Sequence, residues 1–433
     1  MKYKVFTLKN YSTIPQVLSS LSEEEIEAIR VVGNVLPFKT NNYVVEELID
    51  WDNLPNDPIY QLTFPQKEML SEKHFQEMKN ALNDNFSKPE LKLVANKIRY
   101  ELNPHPAGQK DNIPALGGDD LSGMQHKYRE TVLFFPSNSQ TCHAYCTFCF
   151  RWPQFVGIDD LKFASKETDL LVTYLQEHPE VTDVLFTGGD PLVMSAKKLQ
   201  EYIDPLLNAD IPNLQSIRIG TKALSYWPYR FTKDKDADDL LRLFEKVVNS
   251  GIHLAFMAHF NHSTELKSEV VETAIKRILN TGAVIRTQSP IMNHINNSAD
   301  EWAEMWKLQV KLGCIPYYMF VARDTGAQDY FAVSLENAWR VYRKAYIQLS
   351  GLARTVRGPI MSANPGKVQI LGVSEIDNKE IFSLRFIQGR NPNWVGRPFF
   401  AKYNRDAIWL TDLKPIEGKD NFFFENKIQE YAQ

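Results

Sequence analysis

The stretch CHAYCTFC, residues 142–149, contains three of the four cysteines of the chain at the spacing C-x3-C-x2-C. It follows an apolar run, residues 131–136, that is predicted to be a strand. Three thiolates in one short loop are typical ligands of an iron–sulfur cluster. A [4Fe–4S] cluster with three cysteine ligands keeps one iron open for a small molecule. The loop therefore predicts a cluster bound by Cys142, Cys146 and Cys149.

Two other interpretations of these cysteines stay open at the level of sequence. Zinc could bind them with His143 as a fourth ligand, because structural zinc sites almost always have four ligands. That histidine would have to fold back from inside the loop. The thiols could also be buried without any ligand, as the lone Cys314 is expected to be. The spacing and the position after the first predicted strand favour the cluster.

Apolar runs and amphipathic stretches alternate from Thr131 onward. The predicted strands are residues 131–136, 183–187, 216–220, 253–259, 284–288 and 315–321. The predicted helices are residues 166–178, 196–207, 237–249, 264–281 and 300–312. Such alternation is typical of parallel strands joined by crossover helices. It predicts an α/β fold with a partial (βα)6 TIM-like barrel, and barrel active sites form in loops such as the one that holds the cysteines.

Three regions are predicted along the chain. Residues 1–125 form an N-terminal helical and irregular region, residues 126–367 form the barrel core, and residues 368–433 form a small β-rich extension. Helices are expected near residues 23–30, where Ser22 can cap, and near residues 65–82. The polar, Gly/Pro-rich residues 103–123 are expected to be a long connection.

Composition excludes several functional classes. The 433 residues carry a formal net charge of -4, so no basic field indicates nucleic acid. No run of about 18 apolar residues indicates a membrane span, and the first residues lack the apolar core of a secretory signal. Clustered rather than dispersed cysteines favour a reducing compartment. We therefore expect a cytoplasmic protein without nucleic-acid or membrane partners.

A Gly-Gly turn, Gly188-Gly189-Asp190, follows the second predicted strand. Together with the cysteine loop it resembles the radical S-adenosylmethionine (SAM) superfamily, which implies that the open iron binds SAM beside this turn. From about residue 50 to Lys367 the chain is more closely similar to the lysine 2,3-aminomutase family. The segments that carry the similarity are PNDPI (55–59), NPHP (103–106), HKY (126–128), TGGDPL (187–192), HFNH (259–262) and PYY (316–318).

The resemblance implies a second cofactor, pyridoxal 5′-phosphate (PLP), bound through a lysine after a Pro-Gly turn. Lys367 in the sequence NPGK occupies that place, although this turn is shorter than the usual one. Lys127 matches a position that contacts the PLP phosphate, and Arg129 could replace a family arginine that is missing near Thr131. The other candidate cofactor-binding residues are Gly188, Gly189, Asp190, His259 and Gln288. The C-terminal residues contain no cysteine, so no structural zinc is predicted.

Three residues bear on the substrate. Arg151 matches the family arginine that pairs with the substrate α-carboxylate, and a guanidinium suits that planar anion. Lysine-specific members have two acidic residues that bind the distal ammonium, but here Arg323 and Asn364 fall at those places. An arginine would repel an ammonium. The resemblance therefore implies an amino acid 2,3-aminomutase whose substrate is not lysine, with glutamate a better fit, although a one-residue shift would place Asp324 there.

Three other functions are kept as alternatives. The protein could be a radical SAM enzyme without PLP that acts on another metabolite, a modifier of a lysine in a protein or peptide, or a non-enzymatic iron–sulfur protein. The expected partners are a small amino acid substrate and an external electron donor of flavodoxin or ferredoxin type. Self-association is left open.

Overall fold

The computed structural model describes residues 1–158, 163–416, 418 and 420–425. Its strands are β1 Val5–Thr7, β2 Lys39–Asn41, β3 Ala115–Leu116, β4 Asp119–Asp120, β5 Met124–Tyr128, β6 Thr131–Phe134, β7 Asp183–Phe186, β8 Ser216–Thr221, β9 His253–His259, β10 Val284–Ile291, β11 Ile315–Val321, β12 Arg357–Ser362, β13 Gly366–Ile376, β14 Lys379–Gly389 and β15 Pro398–Lys402. Strands β5 to β15 form one sheet of 11 strands in chain order.

The α-helices connect or flank these strands. They are α1 Pro15–Ser20, α2 Glu23–Val35, α3 Pro58–Thr63, α4 Glu72–Asn83, α5 Lys88–Glu101, α6 Thr168–Glu177, α7 Ala196–Asn208, α8 Ala223–Tyr226, α9 Ala237–Asn249, α10 Glu269–Leu279, α11 Ala299–Lys311, α12 Gln328–Phe331 and α13 Leu335–Tyr346. Each neighbouring pair of strands from β6 to β12 has at least one of these helices between its two members.

The predicted alternation of strand and helix is confirmed. Strands β6 to β12 pair in parallel, each with the next along the chain. Parallel pairing requires a crossover from one end of the sheet to the other, and helices α6, α7, α9, α10, α11 and α13 provide it. The sheet is mixed, because β5 and the strands β13 to β15 run antiparallel to their neighbours. The α/β class is thus confirmed, and a partial barrel of six units stays a prediction.

Capping chemistry sets the helix boundaries in the N-terminal region. Ser22 caps the start of α2, as the sequence predicted, and it does so in a reciprocal capping box with Glu25. The helical stretch expected near residues 65–82 is found, and it is divided into two pieces. A short 3₁₀ turn is followed by α4, because the Ser71 hydroxyl accepts a hydrogen bond from His74 N at 3.2 Å and so starts a new helix.

The three predicted regions share one sheet. The boundary after residue 125 falls inside β5, and the boundary after residue 367 falls inside β13. Residues 417, 419 and 426–433 of the predicted extension lie outside the described residues. An apolar cluster of the N-terminal region, which includes Val32 and Tyr60, also contains Ala144 and Trp152 from the cysteine loop and the turn after it. The N-terminal region is therefore part of the wall around that loop.

None of the helices within the described part of the chain has the length and apolarity needed to cross a membrane.

Candidate functional site

A cavity of about 350 Å³ lies at the carboxyl ends of the parallel strands. The loops that follow β6, β7, β8, β9 and β11 contribute to its wall, since parallel strands bring their carboxyl ends to one edge. The residues predicted for the site that line it are Cys142, Cys146, Cys149, Arg151, Gly188, Gly189, Asp190, His259, Gln288, Lys127, Arg323 and Lys367. The structure therefore brings together segments that are up to 240 positions apart (Lys127 to Lys367).

The backbone of the cysteine loop is held by the N-terminal region. Tyr145 N donates to Lys39 O at 2.7 Å, and Thr147 N donates to Leu62 O at 2.9 Å. The buried side-chain amide of Asn41 donates to His143 O at 3.2 Å. These bonds use donors and acceptors that a loop without secondary structure would leave unpaired. The N-terminal region, for which the sequence predicted no role, therefore holds the cysteine loop in place.

The three thiols lie at one end of the cavity in a poorly solvated environment. Burial raises the pKa of Cys146 to about 11 and that of Cys149 to about 12. It also raises the pKa of Cys142, to which the nearby Asp190 and the other two thiols contribute. Thiols with raised pKa values become thiolates when a metal neutralises them. Raised pKa values of this kind do not favour a nucleophilic cysteine, because the reactive thiolate is disfavoured.

The donor set fits a cluster better than a single ion. Across the described ranges, no three His, Cys, Asp or Glu side chains are arranged to hold one metal ion. A four-iron cluster distributes its ligands over different irons, so its thiolates need not converge on one point. His143, the candidate fourth zinc ligand, instead packs edge-on against Tyr3 with centroids 5.9 Å apart. The zinc alternative therefore has no support in this geometry.

The Gly-Gly turn packs directly on the chain that leads into the cysteine loop. A Cβ on residue 189 would lie 2.3 Å from Thr141 O, and Gly188 has a φ of +144°. Asp190 N donates to Thr141 O at 2.8 Å. Both glycines are therefore required by the fold itself, because only a residue without Cβ permits this approach.

The Asp190 carboxylate is engaged inside the protein. It accepts hydrogen bonds from Thr221 Oγ1 at 2.8 Å, from Lys222 N at 2.8 Å and from Leu192 N at 2.9 Å. These bonds connect the turn after β7 to the end of β8. Asp190 lines the cavity, as predicted for a cofactor-binding residue, and its observed contacts are structural.

His259 and Gln288 line the cavity at β9 and β10. The His259 ring stacks on Phe148 of the cysteine loop with centroids 5.7 Å apart. Burial, assisted by the charge of Lys222, lowers the pKa of His259 to about 3. The imidazole is therefore neutral at physiological pH and can serve as a hydrogen-bonding group rather than as a cation.

Lys367 projects from the start of β13 into the other end of the cavity. Its Nζ donates to Gln388 Oε1 on the adjacent strand and lies 4.8 Å from the Tyr128 ring centroid and 5.3 Å from that of Tyr318. Burial lowers its pKa to about 7, and the charges of Arg218, Arg357 and Arg323 act in the same direction. The lysine therefore has a large neutral fraction near neutral pH, as a Schiff-base lysine requires.

Lys127 reaches the same end of the cavity from β5. The pairing of β5 with β6 is irregular between His126 and Tyr128, and such a bulge re-aims side chains. Lys127 Nζ donates to Ala363 O at 2.5 Å. Burial lowers its pKa well below the usual value, and Arg323, Arg390 and Lys367 add to that effect.

Arg129 does not reach the cavity, contrary to the prediction that it contacts the PLP phosphate. Strand β5 ends at Tyr128 and β6 begins at Thr131, so Arg129 lies in the exposed turn between them. Among the cations that the structure places near Lys127, Arg390 was not predicted. Arg390 lies beyond Lys367 in the sequence, and no motif around it indicated a role in the site.

Two arginines share one aromatic ring in the middle of the cavity. The guanidinium carbon of Arg323 lies 4.1 Å from the Phe150 ring centroid, and that of Arg151 lies 5.2 Å from it. Arg323 Nη2 donates to Ser362 Oγ at 3.1 Å. Arg151 is 8% exposed, and its Nη1 has no hydrogen-bond partner. An unpaired, buried guanidinium N–H at a cavity wall is a natural binding group for a carboxylate.

Of the two residues next to this pair, Asn364 was predicted to bind substrate, and Asp324 was the alternative that a one-residue shift would place at the site. Asn364 does not line the cavity, because its Oδ1 accepts from Arg390 Nη2 at 2.8 Å on the far side of the turn. Asp324 also lies outside the cavity wall, and its backbone oxygen accepts from the Asn103 side chain. Arg323, not Asp324, therefore faces the cavity.

Sequence reasoning missed several residues that line or support the site. Lys39 and Asn41 support the cysteine loop, and Gln388 contacts Lys367 across two strands without any signal in the local sequence. Arg218 could have been found, because polar Ser216, Arg218 and Gly220 alternate with buried Ile217 and Ile219 along β8. Arg218 Nε donates to Asp183 Oδ1 at 2.8 Å, so its charge is paired.

Comparison with known proteins gives clear similarities in sequence. A protein of Aquifex aeolicus (strain VF5) named "Putative L-lysine 2,3-aminomutase" is 31% identical over 92% of this chain and 93% of its own length. L-lysine 2,3-aminomutase of Bacillus subtilis (strain 168) is 29% identical over 72% of this chain and 56% of its own length. No family model matches the chain.

Similarity to solved structures is weaker. The structure of Streptococcus suis SuiB bound to S-adenosylmethionine has a TM-score of 0.35 and 15% identity, with coverage of 64% of this chain and 57% of that chain. A TM-score at this level supports no inference about the site.

We predict that Gly189→Ala destabilises the protein by about 2 kcal/mol, because a Cβ there would force backbone atoms of residue 141 to move. Thermal unfolding of the metal-free protein measures the effect. Gly351→Ala is the matched control, since a Cβ at that position meets no atom within 4 Å. Equal melting temperatures for the two variants would contradict the packing argument.

Proposed function

The chain belongs to the lysine 2,3-aminomutase family of radical SAM enzymes, and we propose that it is a PLP-dependent 2,3-aminomutase acting on a dicarboxylic amino acid, with glutamate the first candidate. In this reaction the amino group moves from C2 to C3. For glutamate the product is 3-aminopentanedioate. Aspartate would give aspartate again, so glutamate is the shortest α-amino dicarboxylate for which the shift yields a new compound.

The observation that carries the substrate proposal is an excess of buried cations at one end of the cavity. Lys127, Arg151, Arg323 and Lys367 line it, and no ion pair with a carboxylate occupies any of them in the described part of the chain. Asp190 is the one acidic residue among the lining residues described, and its oxygens are engaged by Thr221 and backbone N–H groups. A substrate with two carboxylates complements this charge, whereas the distal ammonium of lysine finds no acidic partner.

The arginine pair suits two carboxylates on one short molecule. Arg151 offers a free N–H for the α-carboxylate. Arg323 lies on the same ring of Phe150 and is held by Ser362, so it can meet the distal carboxylate while the chain of the substrate spans the ring. Guanidinium–carboxylate pairs can be bidentate, which fixes orientation as well as position.

The residues that would hold the cofactors line the same cavity. Cys142, Cys146 and Cys149 would bind the [4Fe–4S] cluster, Gly188, Gly189, His259 and Gln288 would contact SAM, and Lys367 with Lys127 would hold PLP. When bound, the cluster and SAM supply a radical that removes hydrogen from carbon, and PLP makes the amino nitrogen able to migrate. The chain itself contributes a neutral Lys367 amine, a carboxylate-binding arginine pair, and the aromatic walls of Tyr128, Phe148 and Phe150 that exclude water.

Turnover of amino acids tests the proposal directly. We expect the anaerobically reconstituted protein, with SAM, PLP and dithionite, to convert glutamate to 3-aminopentanedioate and to leave lysine essentially unchanged, as measured by NMR. Cys149→Ala should abolish SAM cleavage because it removes a cluster ligand. Cys314→Ala should retain it, because that buried thiol is outside the cavity. Faster formation of β-lysine than of 3-aminopentanedioate would reject the substrate assignment.

Replacement of Lys367 tests the role of PLP. We expect Lys367→Ala to lose the visible absorbance of protein-bound PLP, because the Lys367 amine lies in the cavity beside the Tyr128 and Tyr318 rings and has a pKa lowered to about 7. Uncoupled SAM cleavage should persist, since the cysteines are unaffected. Lys379→Ala, on the exposed hairpin, is the control. A wild-type protein that cleaves SAM but binds no PLP would favour the PLP-free alternative.

Replacement of Arg323 tests whether this residue binds the distal carboxylate of the substrate. We expect Arg323→Ala to lower kcat/KM for glutamate by roughly 30-fold or more, because removal of one member of a buried charge pair costs about 2–5 kcal/mol. SAM cleavage without substrate should be unchanged. Arg354→Ala, which alters an exposed arginine, should leave the kinetics unchanged. Glutamate kinetics that do not respond to Arg323→Ala would place the distal carboxylate elsewhere.

A further inference from the structure

Tyr226 has a buried hydroxyl that the proposed reaction does not use. The residue ends α8, directly after β8, and is 1% exposed. Its hydroxyl oxygen is buried and has no hydrogen-bond partner of acceptable geometry in the described structure. Leaving such a group unpaired costs about 1–3 kcal/mol. An unsatisfied hydroxyl in an otherwise well-packed wall therefore calls for a ligand that the protein alone does not supply.

The hydroxyl lies against the cysteine end of the cavity. Tyr226 and Cys146 both line it. Burial raises the pKa of the Tyr226 hydroxyl, and the nearby Cys146 thiol adds to that rise, so the two groups are neighbours in the cavity wall. A neutral thiol is a weak acceptor, whereas a thiolate bound to iron is a strong one. The pairing is therefore poor in the metal-free protein and would improve when a cluster binds.

Two contacts, with Asn41 and Lys222, hold Tyr226 in this position. The Asn41 side-chain amide donates to Tyr226 O at 2.9 Å and also to His143 O at 3.2 Å, so one residue joins Tyr226 to the cysteine loop. Lys222 Nζ lies 4.4 Å from the Tyr226 ring centroid and donates to the buried Glu265 at 2.5 Å. The ring cannot turn away without breaking this packing. The geometry is thus prepared before any cofactor arrives.

We propose that Tyr226 is a positioning residue that donates its O–H to the Cys146 thiolate of the bound cluster and thereby raises the reduction potential of the cluster. The inference rests on the proposed function, because it requires the cluster. The physical reason is that a donor to a ligand sulfur withdraws negative charge, and the form with one more electron gains most from that. The electron comes from an external one-electron donor, so the hydrogen bond makes SAM cleavage accessible to a weaker reductant.

The charged groups around Cys146 are largely paired with one another. The hydrogen bond from Tyr226 is therefore the contact that would adjust the reduction potential of the cluster. Lys222 faces the same end of the cavity, but Glu265 neutralises it. Asp190 adds a negative charge that its hydrogen bonds hold in place. Lys39 Nζ donates to Cys142 O at 2.5 Å and to Thr141 Oγ1 at 3.0 Å, so it acts on another ligand of the three.

The test is the midpoint potential of the reconstituted cluster in Tyr226→Phe, measured by redox titration with EPR detection. We expect iron content equal to that of the wild type and a midpoint potential shifted to more negative values. Slower SAM cleavage at a fixed, limiting reductant should accompany the shift, and a stronger reductant should restore the rate. Tyr43→Phe is the matched control, because Tyr43 is buried in the same apolar cluster and its hydroxyl bonds Ser268 instead.

The outcomes separate this inference from the proposed function. A cluster that forms in both proteins with the same midpoint potential would refute the role of Tyr226 and leave the function intact. An equal shift in Tyr43→Phe would show a general effect of the lost hydroxyl and would also refute it. A wild-type protein that takes up no cluster would reject both.

Discussion

Backbone hydrogen bonds between the N-terminal region and the cysteine loop are the constraint on which the site depends. The loop has no regular secondary structure between residues 140 and 151, so its N–H groups need partners from elsewhere. Lys39 O and Leu62 O accept two of them, and the Gly-Gly turn packs on the residues that precede Cys142. The position of the thiols therefore depends on segments before and after the loop. The N-terminal region is a structural component of the site rather than an addition to the sheet.

The opposite end of the cavity is constrained by charge, because it holds several cations without a carboxylate partner among the described residues. Burial of unpaired cations is costly, and it is relieved by loss of the proton or by a bound anion. The pKa of Lys367 is lowered to about 7, so between pH 7 and the pKa of an ordinary lysine the unfolded chain binds more protons than the folded one. This group therefore makes folding more favourable as the pH rises through that window. A bound phosphate or carboxylate would offset the cost at neutral pH, which links anion binding to stability.

Much of the core was predictable from sequence because its signals are local. Apolar runs separated by amphipathic helices gave the order of β6 to β11, and Ser22 with Glu25 gave the start of α2. The cysteines and glycines were found because their spacing is itself the signal. Arg129 was chosen for its nearness in sequence to Thr131, but it lies in the exposed two-residue turn between β5 and β6. Gln388, Asn41 and Arg390 act across distant strands, and nothing in their local sequence records that.

The two ends of the cavity also differ in how well they tolerate amino-acid substitutions. The cysteine loop is held by backbone atoms of Lys39 and Leu62, by the buried Asn41 side chain and by a turn whose glycines admit no larger side chain, so substitutions there disturb the fold. Arg323, by contrast, lies beyond the end of β11, and its guanidinium is held by the Phe150 ring and one bond to Ser362. A change of charge at such a position alters which substrate is complementary without moving the thiols. Under the proposed function, a few loop side chains would therefore set substrate choice, while the packing of the chain holds the cysteine end in place.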